Sequence, residues 1–327
     1  MRNLITDVAG LRVGHATDMA LASGVTALVF DAPAVASIAI GGGAPGTRDT
    51  SLLEPGMTVE TVDALVLSGG SAFGLDSMGG VQSWLREQGR GFPVRDMRVP
   101  IVPGAILFDL LNGGNKAWGR HSPYRDLGYE AAATAGPDFA LGSVGAGAGA
   151  TLVDVKGGLG SASAITPKGF TVGAMVAVNA IGSALVGPGP HFWAAPYERD
   201  GEFGGRGWPG VMPDLSRSAV KGVEPENTTI AIVATDAALT RSQAKRMAMM
   251  AQDGMARALR PAHAAFDGDL VMSASTARHM VEPEAGDLLD IGVLAADCLA
   301  RAIARAVFEA RALEFPGALP AWRDLFG

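Results

Sequence analysis

The sequence is poor in several things at once. It holds one cysteine, Cys298, in 327 residues, so neither a disulfide framework nor a cysteine-based zinc cluster can be built. Charged side chains make up 18% and aromatic ones 6%, against 48% hydrophobic types; a disordered chain shows the reverse balance. No strict glycine period is present, which excludes collagen-like order. Cations do not outnumber anions, since the formal net charge is -7. No run of Lys or Arg interleaved with aromatics offers a footprint for nucleic acid. The opening Met1 to Asp7 reaches an acid without an apolar stretch, so no secretory signal is expected. The longest stretch without Asp, Glu, Lys or Arg, Gly169 to Tyr197, is broken by Asn179, Ser183, Pro188, Pro190 and several glycines. A bilayer helix needs about 20 mostly apolar residues, so this stretch reads as a pair of buried strands. The expectation is a cytoplasmic protein with neither a nucleic-acid nor a membrane partner.

What the chain has instead is glycine and proline, 45 and 19 residues. The length allows one large domain or two medium ones, with a sizeable core in either case. No solenoid repeat and no low-complexity linker divides it. Short runs of strand character alternate with glycine turns through the first 190 residues: Val25–Val29, Ala36–Ile40, Ala64–Leu67, Arg98–Ile101, Val144–Val155, Ser161–Ile165 and Thr171–Val178. Helices are predicted over Phe73–Gln88 and Tyr124–Thr134. A Gly-, Pro-, Arg- and Asp-rich surface segment spans about 188–225. Beyond it come a strand at Thr228–Ala234, a helix from the N-cap Thr240 to Leu259, a strand at Leu270–Ser275 and a helix over Leu288–Ala312. Long alanine-rich helices with two sets of strands suggest an α/β layered sandwich.

Most catalytic motifs fail. No G-x-x-x-x-G-K-[ST] phosphate loop exists. Gly41 to Gly46 has the letters of G-x-G-x-x-G, but Pro45 interrupts it and no helix opens there. The turn beginning at Ser71 could present free N–H groups to a carboxylate or an oxyanion, although packing explains its glycines as well. His15, His121, His191, His263 and His279 form no H-E-x-x-H pair and no metal template, and read as surface or loop residues. There is no G-x-S-x-G elbow. S-x-x-K occurs at Ser218–Lys221 and Ser242–Lys245 without its companion motifs. Cys298, mid-helix on an apolar face, reads as a packed thiol.

One stretch remains, Glu224-Pro225-Glu226-Asn227-Thr228-Thr229 running into Ile230-Ala231-Ile232-Val233-Ala234-Thr235-Asp236. From spacing alone it is a turn before a strand. It resembles the processing site of the DmpA-type aminopeptidase family, which includes β-peptidyl aminopeptidases and, with the most similar motif pattern, the nylon-oligomer hydrolase NylC. The resemblance recurs, in order, at Ile5–His15, Leu67–Leu75, Pro100–Pro103, Lys156–Ser163 and Val176–Asn179, so it spans nearly the whole chain.

The resemblance implies a four-layer αββα sandwich of the DmpA and ornithine-acetyltransferase type. It also implies a precursor, residues 1–327, that cuts itself between Asn227 and Thr228 into chains 1–227 and 228–327. The Thr228 hydroxyl attacks the preceding carbonyl, an N→O shift gives an ester, and water opens it. The freed Thr228 then has a hydroxyl nucleophile and an α-amine that can serve as its base. By the same resemblance Asp267 and Asp269 are the acidic partners, and alternation puts them on one side of an extended segment. Asn179, which ends an apolar run, is either a buried amide satisfied by backbone or the oxyanion donor the resemblance implies. Lys156 lends charge to that oxyanion. Phe108 stands where a tyrosine is often found, without its hydroxyl. Substrates are small peptides, amino-acid amides or 6-aminohexanoate-type oligomers. No metal or organic cofactor is implied, and the assembly is a tetramer of processed heterodimers. The rivals are an acyltransferase of the ornithine-acetyltransferase type and a non-catalytic small-amide binding protein.

Overall fold

The computed structural model describes residues 1–221 and 227–327; the segment 222–226, which includes Glu224, Pro225 and Glu226 of the stretch singled out above, lies outside the described residues. The strands are β1 (Leu11–Asp18), β2 (Ser23–Ile40), β3 (Gly46–Arg48), β4 (Thr61–Ser68), β5 (Phe92–Val94), β6 (Met97–Val99), β7 (Gly104–Ile106), β8 (Gly158–Ile165), β9 (Thr171–Asn179), β10 (Thr228–Thr235) and β11 (Leu270–Ser275). The helices are α1 (Ser77–Glu87), α2 (Tyr124–Ala133), α3 (Arg241–Ala258), α4 (Ala285–Phe308) and the short α5 (Trp322–Phe326). Hydrogen bonds run through one sheet in the order β3-β7-β4-β2-β11-β10-β9-β8, with β1 on β2; β5 and β6 form a separate hairpin.

This sheet doubles back along β2. The first half of β2 pairs with β1 and β4, its pairing with β4 shifts register between Val29 and Ala34, and its second half pairs with β11. Three apolar cores follow from the alternation of side chains. Val25, Ala27 and Val29 of β2 pack with Val81 of α1 and Ala131 of α2. Leu28 and Phe30, pointing the other way, share a middle core with Met175, Ile230 and Met272. Ala231 and Val233 of β10 pack with Ala248 of α3 and Leu299 and Ile303 of α4. Helix, sheet, sheet and helix are therefore stacked in four layers, as expected from the resemblance. Strand β10, TTIAIVAT, is buried throughout and central, with β9 antiparallel on one side and β11 parallel on the other.

The sequence-predicted elements mostly stand, with informative exceptions. Helix α3 begins at the expected cap: Thr240 Oγ1 accepts from Gln243 N–H, and the Gln243 side chain returns the bond to Thr240 N–H. Of Phe73–Gln88, only Ser77–Glu87 is α-helix; Ser71–Asp76 is a 3-10 turn. Val144–Val155 is not a strand. The N–H groups of Gly145 and Ala146 bond to the hydroxyls of Thr17 and Thr26, and the carbonyls of Gly147 and Ala150 accept from Lys156. Side chains thus take the backbone groups a ladder would use. Arg98–Ile101 contributes only the end of the exposed hairpin. His15 is not a loop residue: it lies in β1, half-buried, between Thr26 and the Ala140 carbonyl. Among the described residues, 188–221 contains a single short 3-10 turn, Ala195–Tyr197. No helix among the described residues is long and apolar enough to cross a membrane.

Helix α4 lies directly on β8, and Gly160 sets the distance. A Cβ there would stand 1.9 Å from the Ala302 carbonyl oxygen, backbone that cannot give way. Gly160→Ala is expected to cost about 1–3 kcal/mol, read as a lower midpoint of chemical denaturation. An unchanged midpoint would show that α4 is not seated this closely.

Candidate active site

Thr228 is the first residue of β10, and both neighbouring strands end beside it. Its register partner on β9 is Asn179, the last residue of that strand. On the β11 side the parallel pairing continues upstream of both strands as a bridge between Asn227 and Asp267. The Asn227 carbonyl oxygen accepts a hydrogen bond from Gly268 N–H at 3.1 Å, and the Thr228 hydroxyl donates to that same oxygen. The hydroxyl therefore lies against the carbonyl it would attack, and a backbone donor already polarises that carbonyl. Gly268 permits the approach: a Cβ there would stand 2.6 Å from Thr228 Oγ1. Thr228 is 6% exposed, and Asn227, Asn179, Asp267 and Asp269 are buried with it.

Asp267 and Asp269 do face each other. Asp269 is the acceptor of the pair: Oδ1 takes Thr229 N–H at 2.7 Å and Oδ2 takes His263 N–H at 2.9 Å. The His263 ring Nδ1 lies 3.2 Å from Oδ2, off the line of a hydrogen bond. Burial, then the charge of Asp269, then a hydrogen bond to Asp269 push the Asp267 carboxyl up to about 8. Asp267 is thus the member that keeps its proton at neutral pH. The loop carrying both acids is held from behind by the glycine-rich turn after β2. Gly41 and Gly42 N–H donate to the Asp269 carbonyl, and Ala44 N–H donates to the Asp267 carbonyl. A Cβ on Gly42 would stand 2.1 Å from that Asp267 carbonyl, so the letters that mimic a dinucleotide loop serve close backbone approach.

The remaining candidates divide. The Asn179 amide donates to the Phe108 carbonyl at 2.9 Å, and its Oδ1 accepts from Thr151 N–H and from Lys221 Nζ. It stands beside Thr228 and is satisfied largely by backbone. Lys156 is fully buried, and its ammonium donates to the carbonyls of Gly147, Ala150 and Gly157 at 3.1, 2.8 and 2.7 Å. Those three bonds use its three protons, so it fixes this loop and acts on the site through its charge. Burial brings it down to about 7, with Asp109 opposing and Lys221 adding. Ser71 is not brought to Thr228 by any hydrogen bond: its N–H donates to the Leu107 carbonyl. The neighbouring Gly70 N–H does hold a carboxylate, the buried Asp109, which also accepts from Ser23 Oγ at 2.6 Å. Phe108, Asp109, Asn112, Thr151, Asn179 and Lys221 line a cavity of about 80 Å³ beside the site. A larger one of about 300 Å³ shares Leu111, Asn112 and Thr151 and extends to Leu313–Leu319.

Sequence reasoning missed His263, Lys221, Gly268 and Asp109. Lys221 had a faint signal, its place six residues before Asn227. The others belong to no motif and are recruited by pairing between distant segments.

The sequence profile of Peptidase family S58 matches residues 3–318. A protein of Mycobacterium tuberculosis (strain ATCC 25618 / H37Rv), named as an uncharacterized aminopeptidase, is 42% identical over 348 aligned positions, covering 99% of this chain and 98% of its own. Among solved structures, the PH0078 protein from Pyrococcus horikoshii OT3 superposes with a TM-score of 0.72 at 25% identity, over 98% of this chain and 91% of its own. The L-aminopeptidase D-Ala-esterase/amidase from Ochrobactrum anthropi, described as a prototype for the serine aminopeptidases and a variant of the Ntn hydrolase fold, gives a TM-score of 0.72 at 20% identity over 99% and 92%. That likeness shows the fold.

The raised Asp267 carboxyl has a consequence for stability. The folded chain keeps this proton where an unfolded aspartate has lost it, so folding is favoured at low pH. That contribution is lost as pH rises from about 3.8 to about 8. In the uncleaved Thr228→Ala chain, Asp267→Asn is expected to flatten the fall of Tm with pH across this window. Parallel Tm profiles for the two chains would show that Asp267 is not held protonated.

Proposed function

The chain belongs to Peptidase family S58, and from that premise we propose that it is an aminopeptidase that cuts itself between Asn227 and Thr228 and then uses Thr228 as an N-terminal nucleophile. The observation that carries this is the arrangement at one carbonyl: the Thr228 hydroxyl and Gly268 N–H both meet the Asn227 oxygen. In self-cleavage Thr228 Oγ1 adds to the Asn227 carbonyl carbon while Gly268 N–H stabilises the developing oxyanion. One such donor is worth about 2.7–4 kcal/mol of barrier. The C–N bond breaks as Asp267, protonated at neutral pH, gives its proton to the Thr228 nitrogen; the proton lost by the Thr228 hydroxyl restores Asp267, and an ester remains. Water then hydrolyses the ester, leaving an Asn227 carboxylate and a free Thr228 amine.

In turnover the Thr228 α-amine accepts the hydroxyl proton, since its reference pKa of about 7.7–8.0 lies near working pH. Thr228 Oγ1 attacks the substrate amide, the amine leaves with a proton, and water releases the acid. The substrate class is small peptides, amino-acid amides and 6-aminohexanoate-type oligomers. Two adjoining cavities support it: a small one lined by Asn179, Lys221 and Phe108, and a larger one that runs along Leu313, Phe315, Pro316 and Leu319 and suits an extended chain with apolar segments. The working unit is a homotetramer of processed heterodimers, which sedimentation on the cleaved protein tests.

Denaturing mass analysis is expected to give chains of 227 and 100 residues. Thr228→Ala is expected to leave one chain of 327 residues and to lower amide hydrolysis by a factor on the order of 10⁴ or more. Thr228→Ser, which keeps the hydroxyl, should retain part of both. Hydrolysis persisting in Thr228→Ala would move the nucleophile elsewhere. Acyl groups passed to an added amine acceptor, in place of free acid, would instead mark an acyltransferase.

A further inference from the structure

His263 breaks two local rules to reach its place. Its φ is +59°, left-handed backbone that few non-glycine residues adopt. Its ring fills the space where a Cβ of Gly41 would be, with Nδ1 2.6 Å from that point. The reward is contact with Asp269 Oδ2 from both the backbone N–H, at 2.9 Å, and the ring, at 3.2 Å. With Nδ1 this close to a buried carboxylate oxygen, the imidazolium gains an attraction that the neutral ring lacks.

We propose that His263 is a positioning residue for the acidic pair: its imidazolium and its backbone N–H hold Asp269 as the carboxylate, so the shared proton sits on Asp267 before cleavage and a carboxylate stands ready for the Thr228 amine after it. This rests on the reading of Thr228 as nucleophile, since the pair then stands beside the reacting atoms. The Asp269 carboxylate beside the ring favours the protonated form, and burial opposes it. The charged and titratable groups around it are Asp269 and Asp267 on its own loop and Lys221, whose charge acts on Asp267 from across the site. Cleavage adds the Thr228 amine. From the turn after β2, Gly41 lies against the ring.

The ring is active in its protonated form, so rate should fall as pH rises through its raised pKa. Two variants tolerate the left-handed backbone, His263→Asn and His263→Gly, and both keep the backbone N–H bond to Asp269 while removing the ring. In the processed enzyme each is expected to lower kcat on an amino-acid p-nitroanilide by about 100-fold, the scale of a misplaced catalytic group. KM should be unchanged, and the limb of the kcat–pH profile that falls through the histidine's titration should be gone. Wild-type kcat and pH profile in both variants, or a loss confined to KM, would overturn the proposal. A second measurement needs no turnover. In the uncleaved Thr228→Ala chain with labelled histidine, NMR should show His263 titrating above the usual range and dropping on Asp269→Asn. A titration that ignores Asp269→Asn sinks the pairing, whereas hydrolysis retained by Thr228→Ala sinks only the nucleophile assignment beneath it.

Discussion

The parallel pairing of β10 with β11 is the constraint on which the site depends. It continues upstream of both strands through the Asn227–Asp267 bridge and the Gly268 N–H bond to the Asn227 oxygen. The Asn227–Thr228 bond, the one proposed to be cut, and the acidic pair are therefore brought together by backbone register, before any side chain is considered. Register also decides which hydroxyl stands at that bond. Thr228 and Thr229 both carry one, but only Thr228 shares the alternation of Ile230 and Ile232, which face the middle core. Ala231 and Val233, in phase with Thr229, face the helices. A slip of one residue would turn the nucleophile away from Asn179 and into the helix layer.

That register needs the loop before β11 to stay put, and the chain supplies this from the far side. The turn after β2 donates three backbone N–H groups to carbonyls of Asp267 and Asp269, at a distance that leaves no room for a side chain on Gly42. The low charge content of the sequence takes on meaning here. Asp109, Lys156, Asp267 and Asp269 are all buried, and each is held by hydrogen bonds or an opposite charge, as burial of an ion demands. The outer layer under α4 carries a further such pair: Arg301 is buried against β8, held by Glu202 and the Ser163 carbonyl.

Elements whose signal is local were legible. β11 is Leu270–Ser275 as read, α2 differs by one residue from its expected end, and β10 by one. Their runs of apolar, β-branched or alanine-rich residues decide their state before any partner arrives. Val144–Val155 was not legible, because its backbone is satisfied by Thr17, Thr26 and Lys156, two of which lie more than a hundred residues away. β1 escaped notice because Arg12, Gly14 and His15 blur its alternation, and β2 supplies its ladder. At the site, the alternation of Asp267 and Asp269 was readable, and the resemblance pointed to Thr228. His263 and Gly268 were invisible for one reason: a loop histidine and a loop glycine have no period, and what they do is set by where β11 lies beside β10.

The proposed cycle asks the same carboxyl pair for opposite services, and the order of events resolves this. Before cleavage no cation of Thr228 exists, and burial with the neighbouring Asp269 charge keeps a proton on Asp267. A proton is what the departing Thr228 nitrogen requires. Cleavage then creates an ammonium next to the pair. A positive charge at that distance favours the ionised carboxyl, against the burial that raised Asp267. The pair is thereby converted from a source of a proton to an anchor for the amine that must act as base. In the proposed cycle Gly268 N–H, once released by the Asn227 oxygen, serves the oxygen of the incoming acyl group. Self-cleavage is in this sense the step that sets the protonation state of the working enzyme, and the buried, low-dielectric setting lets one peptide bond do it.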